Sequence, residues 1–203
     1  MNEAHHHGAR RGKNAPSRKD RTRQKIEGAA ARLLRRDGIK GASVRKVMAA
    51  AGLTGGGFYA HFSSKERLMQ DAFSWAAREK RKLLAVSLGD ARGASYVERF
   101  LRAYLTRDHR DNPQTGCPYA ALLSELPRSG RAVRARVRAE FSRGVKAFAD
   151  RLEGRSPTEA RRMAILTLCL AFGALSMSRT LAGYPEADEL LEAAAAASKY
   201  WRR

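Results

Sequence analysis

Cysteine is scarce in this chain, with two residues in 203. Two cannot staple a small secreted domain, and with no CxxC pair or Cys/His spacing there is no zinc-finger pattern either. Acidic residues number 20 against 40 Lys and Arg, and none are paired in a setting that would raise a carboxyl pKa for acid/base work. The sequence also has no alternating strand pattern, no Asn-Gly hairpin, no phosphate-binding glycine loop and no internal repeat. The uncharged stretch Met163 to Ser178 falls short of the roughly 18 to 20 residues of a bilayer span, and Thr167, Gly173, Ser176 and Ser178 dilute it. Nothing in Met1-Asn2-Glu3-Ala4-His5 and beyond looks like the apolar segment of a signal peptide. The expectation is a cytoplasmic protein with no membrane partner, no cofactor and no metal.

What is abundant is positive charge, formally +20, together with 43% hydrophobic residues, enough to bury a core. Between Ala9 and Lys25 stand Arg10, Arg11, Lys13, Arg18, Lys19, Arg21, Arg23 and Lys25, opposed by Asp20 alone. Such a run is either a solvated tail or an arm for phosphates and a minor groove. The basic excess continues past residue 81, so charge by itself localises nothing. His5 to His7 lack further ligands at metal-binding spacing.

Every segment with clear periodicity reads as helix. Ile26, Ala29, Ala30, Leu33 and Leu34 share one face of a first helix, stopped at Asp37-Gly38. Ser43 caps a short second helix with Val44, Val47, Met48 and Ala51 on one face, and Gly52 ends it. Thr54 can cap a third, on which Phe58 and Phe62 lie four apart, and Ser63-x-x-Glu66 reads as a capping box for a fourth. Gly89 and Gly93 interrupt the pattern as a linker. Beyond it, Ser95-x-x-Glu98 predicts a helix with Val97, Phe100, Leu101, Tyr104 and Leu105 inward; another is expected over about Cys117 to Leu126, and one carries Val133, Phe141, Phe148 and Leu152. Ser156-Pro157-Thr158-Glu159 is a strong start for the uncharged helix, which should be buried on every side, Cys169 included. A last helix covers about Glu186 to Lys199. The units are an arm at 1–20, a domain at 21–82 and a second at 83–203.

A short helix, a tight turn with glycine and a second short helix is the pattern of a helix-turn-helix, whose second helix enters the major groove. With Phe58 and Phe62 inward, Gly55, Gly56, Tyr59 and His61 are left to face outward. Consecutive glycines cost a helix about 1 kcal/mol each relative to Ala, a choice that makes sense where backbone must approach something closely. His61 has no nucleophile or orienting carboxylate at matching spacing, so it is not read as a catalytic base.

Residues 22 to 73, above all Ala51-Gly52-Leu53-Thr54-Gly55-Gly56-Gly57-Phe58-Tyr59-Ala60-His61-Phe62-Ser63-Ser64-Lys65-Glu66-Arg67-Leu68, resemble the DNA-binding domain of TetR-family transcriptional regulators. The Gly116-Cys117-Pro118 turn resembles one subgroup. The resemblance implies an all-α fold: an N-terminal three-helix DNA-binding domain with helix-turn-helix, plus a C-terminal helical domain that binds an effector and dimerises. It implies phosphate contacts from Ser43 and Arg45, and backbone or base contacts from Thr54, Tyr59, His61 and Lys65 on double-stranded DNA with a palindromic operator. Gly55 departs from the family, which often carries a longer side chain there.

For the second domain, Phe100, Tyr104, Tyr119, Leu122, Phe141 and Phe148 lie on inward stripes and read either as plain core or as the lining of a site for an apolar small molecule, with Tyr104, Tyr119 and Thr167 as polar groups. A homodimer is expected on the last two helices, through the uncharged helix and Ala193 to Ala197. The leading expectation is a non-enzymatic, ligand-responsive repressor. The alternatives are a sequence-tolerant basic nucleic-acid-binding protein without effector, and a thiol-dependent redox enzyme using Cys117.

Overall fold

The computed structural model describes residues 17–201, so the expectations for residues 1–16, including His5 to His7, lie outside them. The Ser17 hydroxyl accepts from the Asp20 N–H and the Asp20 carboxylate accepts from the Ser17 N–H, a reciprocal cap that opens α1 (Arg18–Gly41). Arg18 to Asp20, placed in the arm by the sequence, form the first helical turn. The inward stripe of α1 is the one read from periodicity. At Gly38 the backbone goes left-handed (φ 75°), and a Cβ there would collide with the Glu125 carboxylate, which accepts the Ile39 N–H at 2.9 Å. The expected stop is therefore a kink docked on the distal half of the chain.

Ser43 caps α2 (Val44–Ala50) by accepting the Lys46 N–H, and Gly52 turns the chain with φ 65°. The expected third helix is a tighter 3-10 helix, Gly55–Ala60, to which Thr54 gives no side-chain cap. Three glycines explain this, since they contribute no side-chain packing to favour the α form. Ser64, not Ser63, caps α3 (Lys65–Leu88), its hydroxyl accepting the Arg67 N–H. This helix runs unbroken through residue 82 and enters two hydrophobic cores. Leu68, Met69, Ala72 and Phe73 pack with α1, α2, Phe58 and Phe62 in the first, and Leu88 belongs to the second.

The second core is built by α4 (Gly93–Tyr104), α6 (Pro118–Leu122), α7 (Arg131–Ala149), α8 (Pro157–Thr180) and α9 (Glu186–Ala196), with the short α5 (Arg107–Asp111) lying against α8. Here α4 starts at Gly93, two residues before the predicted cap, and the Ser95 hydroxyl donates back to the Arg92 carbonyl. The helix expected to reach Leu126 ends at Leu122. Ser156 and Glu159 form the predicted capping box of α8. That helix is long and apolar enough to cross a membrane by length and composition alone, yet one face holds the second core through Ala164, Leu168, Ala171 and Leu175. Its opposite face is open: Leu166 and Met177 are each 50% exposed and Cys169 is exposed, correcting the expectation of burial on all sides.

Candidate nucleic-acid interface and effector cavity

The Gly55–Ala60 segment is held from beneath by aromatics. Phe58 and Phe62 are buried and stacked at 5.7 Å, and Phe58 meets Tyr59 edge-on at 5.1 Å while Tyr59 itself is 78% exposed. Beneath them Arg23 acts as a clamp. Its guanidinium lies 4.3 Å from the Phe62 ring centre, donates to the His61 carbonyl, and pairs with Glu27 at 2.9 Å and with Asp71, which Arg67 also holds. Burial pushes the Glu27 carboxyl up, against the pull of Arg23. One side chain thus joins α1, the end of that segment and α3. The sequence reading placed Arg23 in a basic run that is either a solvated tail or an arm for phosphates; the i, i+4 spacing to Glu27 is the available signal for its internal role.

Arg45, Thr54, Gly55, Gly56, Tyr59 and Lys65 are exposed on this part of the molecule, with Ser43 and His61 half-buried. His61 Nδ1 is buried without a partner, while the rest of the residue reaches solvent. Gly55 and Gly56 have no positive φ, and a Cβ at either would meet nothing within 4 Å. Nothing inside the protomer requires glycine there. Lys65 opens α3, so its charge adds to the positive end of a long helix.

The second feature is a cavity of about 300 Å³ between α3, α4, α6, α7 and α8. Of the residues expected around an effector, Phe100, Tyr104, Tyr119, Phe141 and Phe148 line it. Leu122 does not, because the early end of α6 turns it into the first core; Thr167 is fully buried in α8 with no hydrogen-bond partner and also stands off the lining. Sequence reading missed Lys80, Arg81, Cys117, Glu140 and Phe172, which lie on the lining but carry no pattern that separates them from ordinary helix residues. Tyr119 stacks on Phe172 at 5.0 Å and meets Phe73 edge-on at 5.1 Å, so it touches both cores and the cavity.

The polar lining is mostly paired. Glu140 accepts from Arg81 at 2.9 Å and from Arg143 at 2.6 Å; burial raises its pKa, but these bonds outweigh it and hold the carboxyl below its usual range. Behind the wall, His109 Nδ1 meets the Tyr104 carbonyl at 2.7 Å and Nε2 accepts the Cys117 N–H at 2.9 Å. That pattern assigns the neutral tautomer protonated on Nδ1. Burial first, then the nearby Lys80 charge, push the imidazole down to about 3. Beside it Arg179 donates to the His109 and Arg110 carbonyls, and Arg35 of α1 donates to the Gly116 carbonyl.

The helix-turn-helix and the hollow helical domain find their counterparts in known proteins. Residues 26–72 match the profile of bacterial regulatory proteins of the tetR family, and residues 94–197 match that of the LmrA/YxaF-like transcriptional regulator C-terminal domain. A TetR transcriptional regulator from Chloroflexus aurantiacus is 28% identical, with a TM-score of 0.74 over 90% of this chain and 94% of that one. A TetR-family regulator from Cytophaga hutchinsonii has the same fold at 21% identity, with a TM-score of 0.75 over 92% and 98%. The reduced form of NemR from E. coli does so at 18%, with a TM-score of 0.74 over 89% and 96%. No curated protein matches the chain. With more than half of its length covered by one family profile, the chain belongs to the tetR family of bacterial transcriptional regulators, and its C-terminal domain is of the LmrA/YxaF-like kind.

Proposed function

We propose that this regulator is a homodimeric repressor that reads a palindromic operator through Gly55–Ala60 and lets go when a largely apolar small molecule fills the cavity. The observation that carries the reading is the pair Gly55 and Gly56, glycines that no internal contact or backbone angle demands, beside the exposed Tyr59. Close approach of DNA backbone gives them a purpose. Ser43, Arg45, Thr54, His61 and Lys65 supply the surrounding phosphate and base contacts.

The dimer rests on the open face of α8. Leu166, Cys169, Gly173 and Met177 follow helical spacing along it, beside the exposed Ala193 and Ala196 of α9, and an apolar stripe of this length calls for a partner. Leu166→Glu or Met177→Glu should yield monomers. Ala174 and Leu175 of the same helix are buried within the protomer, and a Glu at either would disturb folding instead.

Release is a population shift. Lys65 and the cavity residue Lys80 stand on the same helix, about 22 Å apart at 1.5 Å per residue, and Arg35 ties α1 to the turn before the cavity wall. A ligand that repositions these helices alters the spacing of two recognition segments across the dimer. The test is to sequence the genomic fragments the protein retains and compare operator with random DNA at fixed salt. An affinity ratio of at least ~10³ supports the repressor; equal affinity supports a sequence-tolerant DNA-binding protein instead.

A further inference from the structure

The cavity is lined chiefly by carbon, but its polar groups are unevenly satisfied. Arg81 is bound to Glu140, and Arg151 donates to the Gly89 carbonyl. Among the described residues Lys80 has no ion-pair or hydrogen-bond partner, and its Nζ lies 5.8 Å from the centre of the Tyr104 ring. Tyr104 is 1% exposed, and its hydroxyl reaches no hydrogen-bond partner, its polar neighbour being the Cys117 thiol. Burial depresses the Lys80 pKa, the first cost of holding an ammonium there, and the cations Arg179 and Arg35 add to it. The Cys117 thiol and then Asp108 act the other way, but Asp108 is exposed and already accepts from Asn112. A buried donor without an acceptor and a half-buried cation without an anion are both unfavourable, and they border one cavity.

We infer that the effector is a small aromatic anion, an aromatic carboxylate or phenolate, whose charged oxygen sits between Lys80 Nζ and the Tyr104 hydroxyl while its ring lies among Phe100, Tyr119, Phe148 and Phe172. The inference rests on the reading of this cavity as the effector site. The rings offer stacking and edge-on faces at the spacings they already use among themselves, 5.0 Å for Phe100 with Phe148 and for Tyr119 with Phe172. The oxygen takes a charge-assisted bond from the ammonium and a second from the phenol, supplying what both groups lack. A volume of about 300 Å³ accommodates a ligand of one to three rings.

The experiment uses the full-length wild-type protein and a panel of one- to three-ring aromatic acids, each beside its primary amide, with 2-naphthoate and 2-naphthamide as the first pair. Binding is followed by calorimetry, and release of a retained genomic fragment by fluorescence anisotropy. The expected result is at least one acid that binds ~10-fold or more tightly than its amide and releases DNA. Lys80→Met should abolish the preference for the acid while amide binding persists, and Tyr104→Phe should reduce it about threefold or more. Amides that bind as well as their acids would overturn the anion while leaving the cavity as the effector site. If no member of the panel binds, both readings fall. Thermal unfolding of both variants within a few degrees of wild type separates loss of the contact from loss of the fold.

Discussion

The two cores of this protein are built from the same kinds of residue and used in opposite ways. The first, around Phe58, Phe62, Phe73, Ile26 and Leu34, packs ring on ring, and Arg23, Glu27 and Asp71 beside it satisfy one another, with His61 Nδ1 left buried and unpartnered at its edge. The second borders a cavity of about 300 Å³, and Tyr104 and Thr167 keep buried hydroxyls without partners among the described residues. Close packing stabilises; a hollow with unmet polar groups forfeits contacts and desolvation energy that a ligand can return. Tyr119, in contact with both cores, is where the two regimes meet.

Truncation within the first core should have the largest effect. Phe62→Ala removes the ring between Phe58 and the Arg23 guanidinium and is expected to cost about 3–5 kcal/mol, read as a lower urea midpoint together with loss of DNA binding. An unchanged midpoint would show that the recognition unit is not packed as described. Phe148→Ala, on the hollow side, already borders the cavity, so the same measurement should give a smaller loss.

The next effect belongs to pH. His109 is buried neutral, with its pKa moved from 6.5 to about 3, so the unfolded chain binds the proton more readily than the folded one. Stability from this group is complete above about pH 6.5 and is lost as pH falls through the interval down to about 3, by up to ~1.4 kcal/mol per pH unit. Between about pH 6.5 and 5 the carboxylates held low, Glu140 and Asp188 among them, stay largely ionised in both states, whereas Glu27, which burial pushes up, gains stability as pH falls and opposes the histidine, so the His109 share is read as the difference between wild type and His109→Gln. His109→Gln should flatten urea midpoints across that window; a slope that persists would assign it to another group.

Charge at the DNA face comes third. Lys65→Ala should weaken operator and random DNA alike and reduce the magnitude of the log-log salt slope by about 0.9, provided Lys65 neutralises one phosphate. Weakening confined to the operator would recast Lys65 as a base-reading residue.

The smallest effect on stability is expected at the unforced glycines. Gly55→Ala and Gly56→Ala meet open space at ordinary backbone angles, so stability should hold or rise by up to about 1 kcal/mol. Operator affinity should fall nonetheless. Unchanged affinity in both would remove DNA approach as the reason for these glycines, whereas Gly38→Ala, left-handed and against Glu125, should destabilise whatever the DNA does.

Local rules made much of this legible in advance. Ser43 and Ser156 cap the helices assigned to them, the stripe of α1 is buried as its period requires, and Phe58 and Phe62 face inward. Errors came where local signals tie or where distance along the chain is large. Ser63 and Ser64 are equally good caps by type, and the backbone chose the second. Leu122 is apolar and inward in any reading; which core receives it depends on where α6 ends. Cys169 sits in an apolar helix whose outer face has no partner within the protomer.

What the sequence by itself determined is therefore what depends on neighbours within a turn or two: helical periods, caps, the glycine turn of the helix-turn-helix, and a net charge suited to phosphates. Only the tertiary structure could decide the rest, because it depends on side chains far apart in sequence arriving at one point. Arg23 is an internal clamp because Asp71 and the His61 carbonyl converge on it from 48 and 38 residues away. Lys80 and Tyr104 lack partners among the described residues because the helices around them, packing on one another, leave a space between them that no described side chain fills.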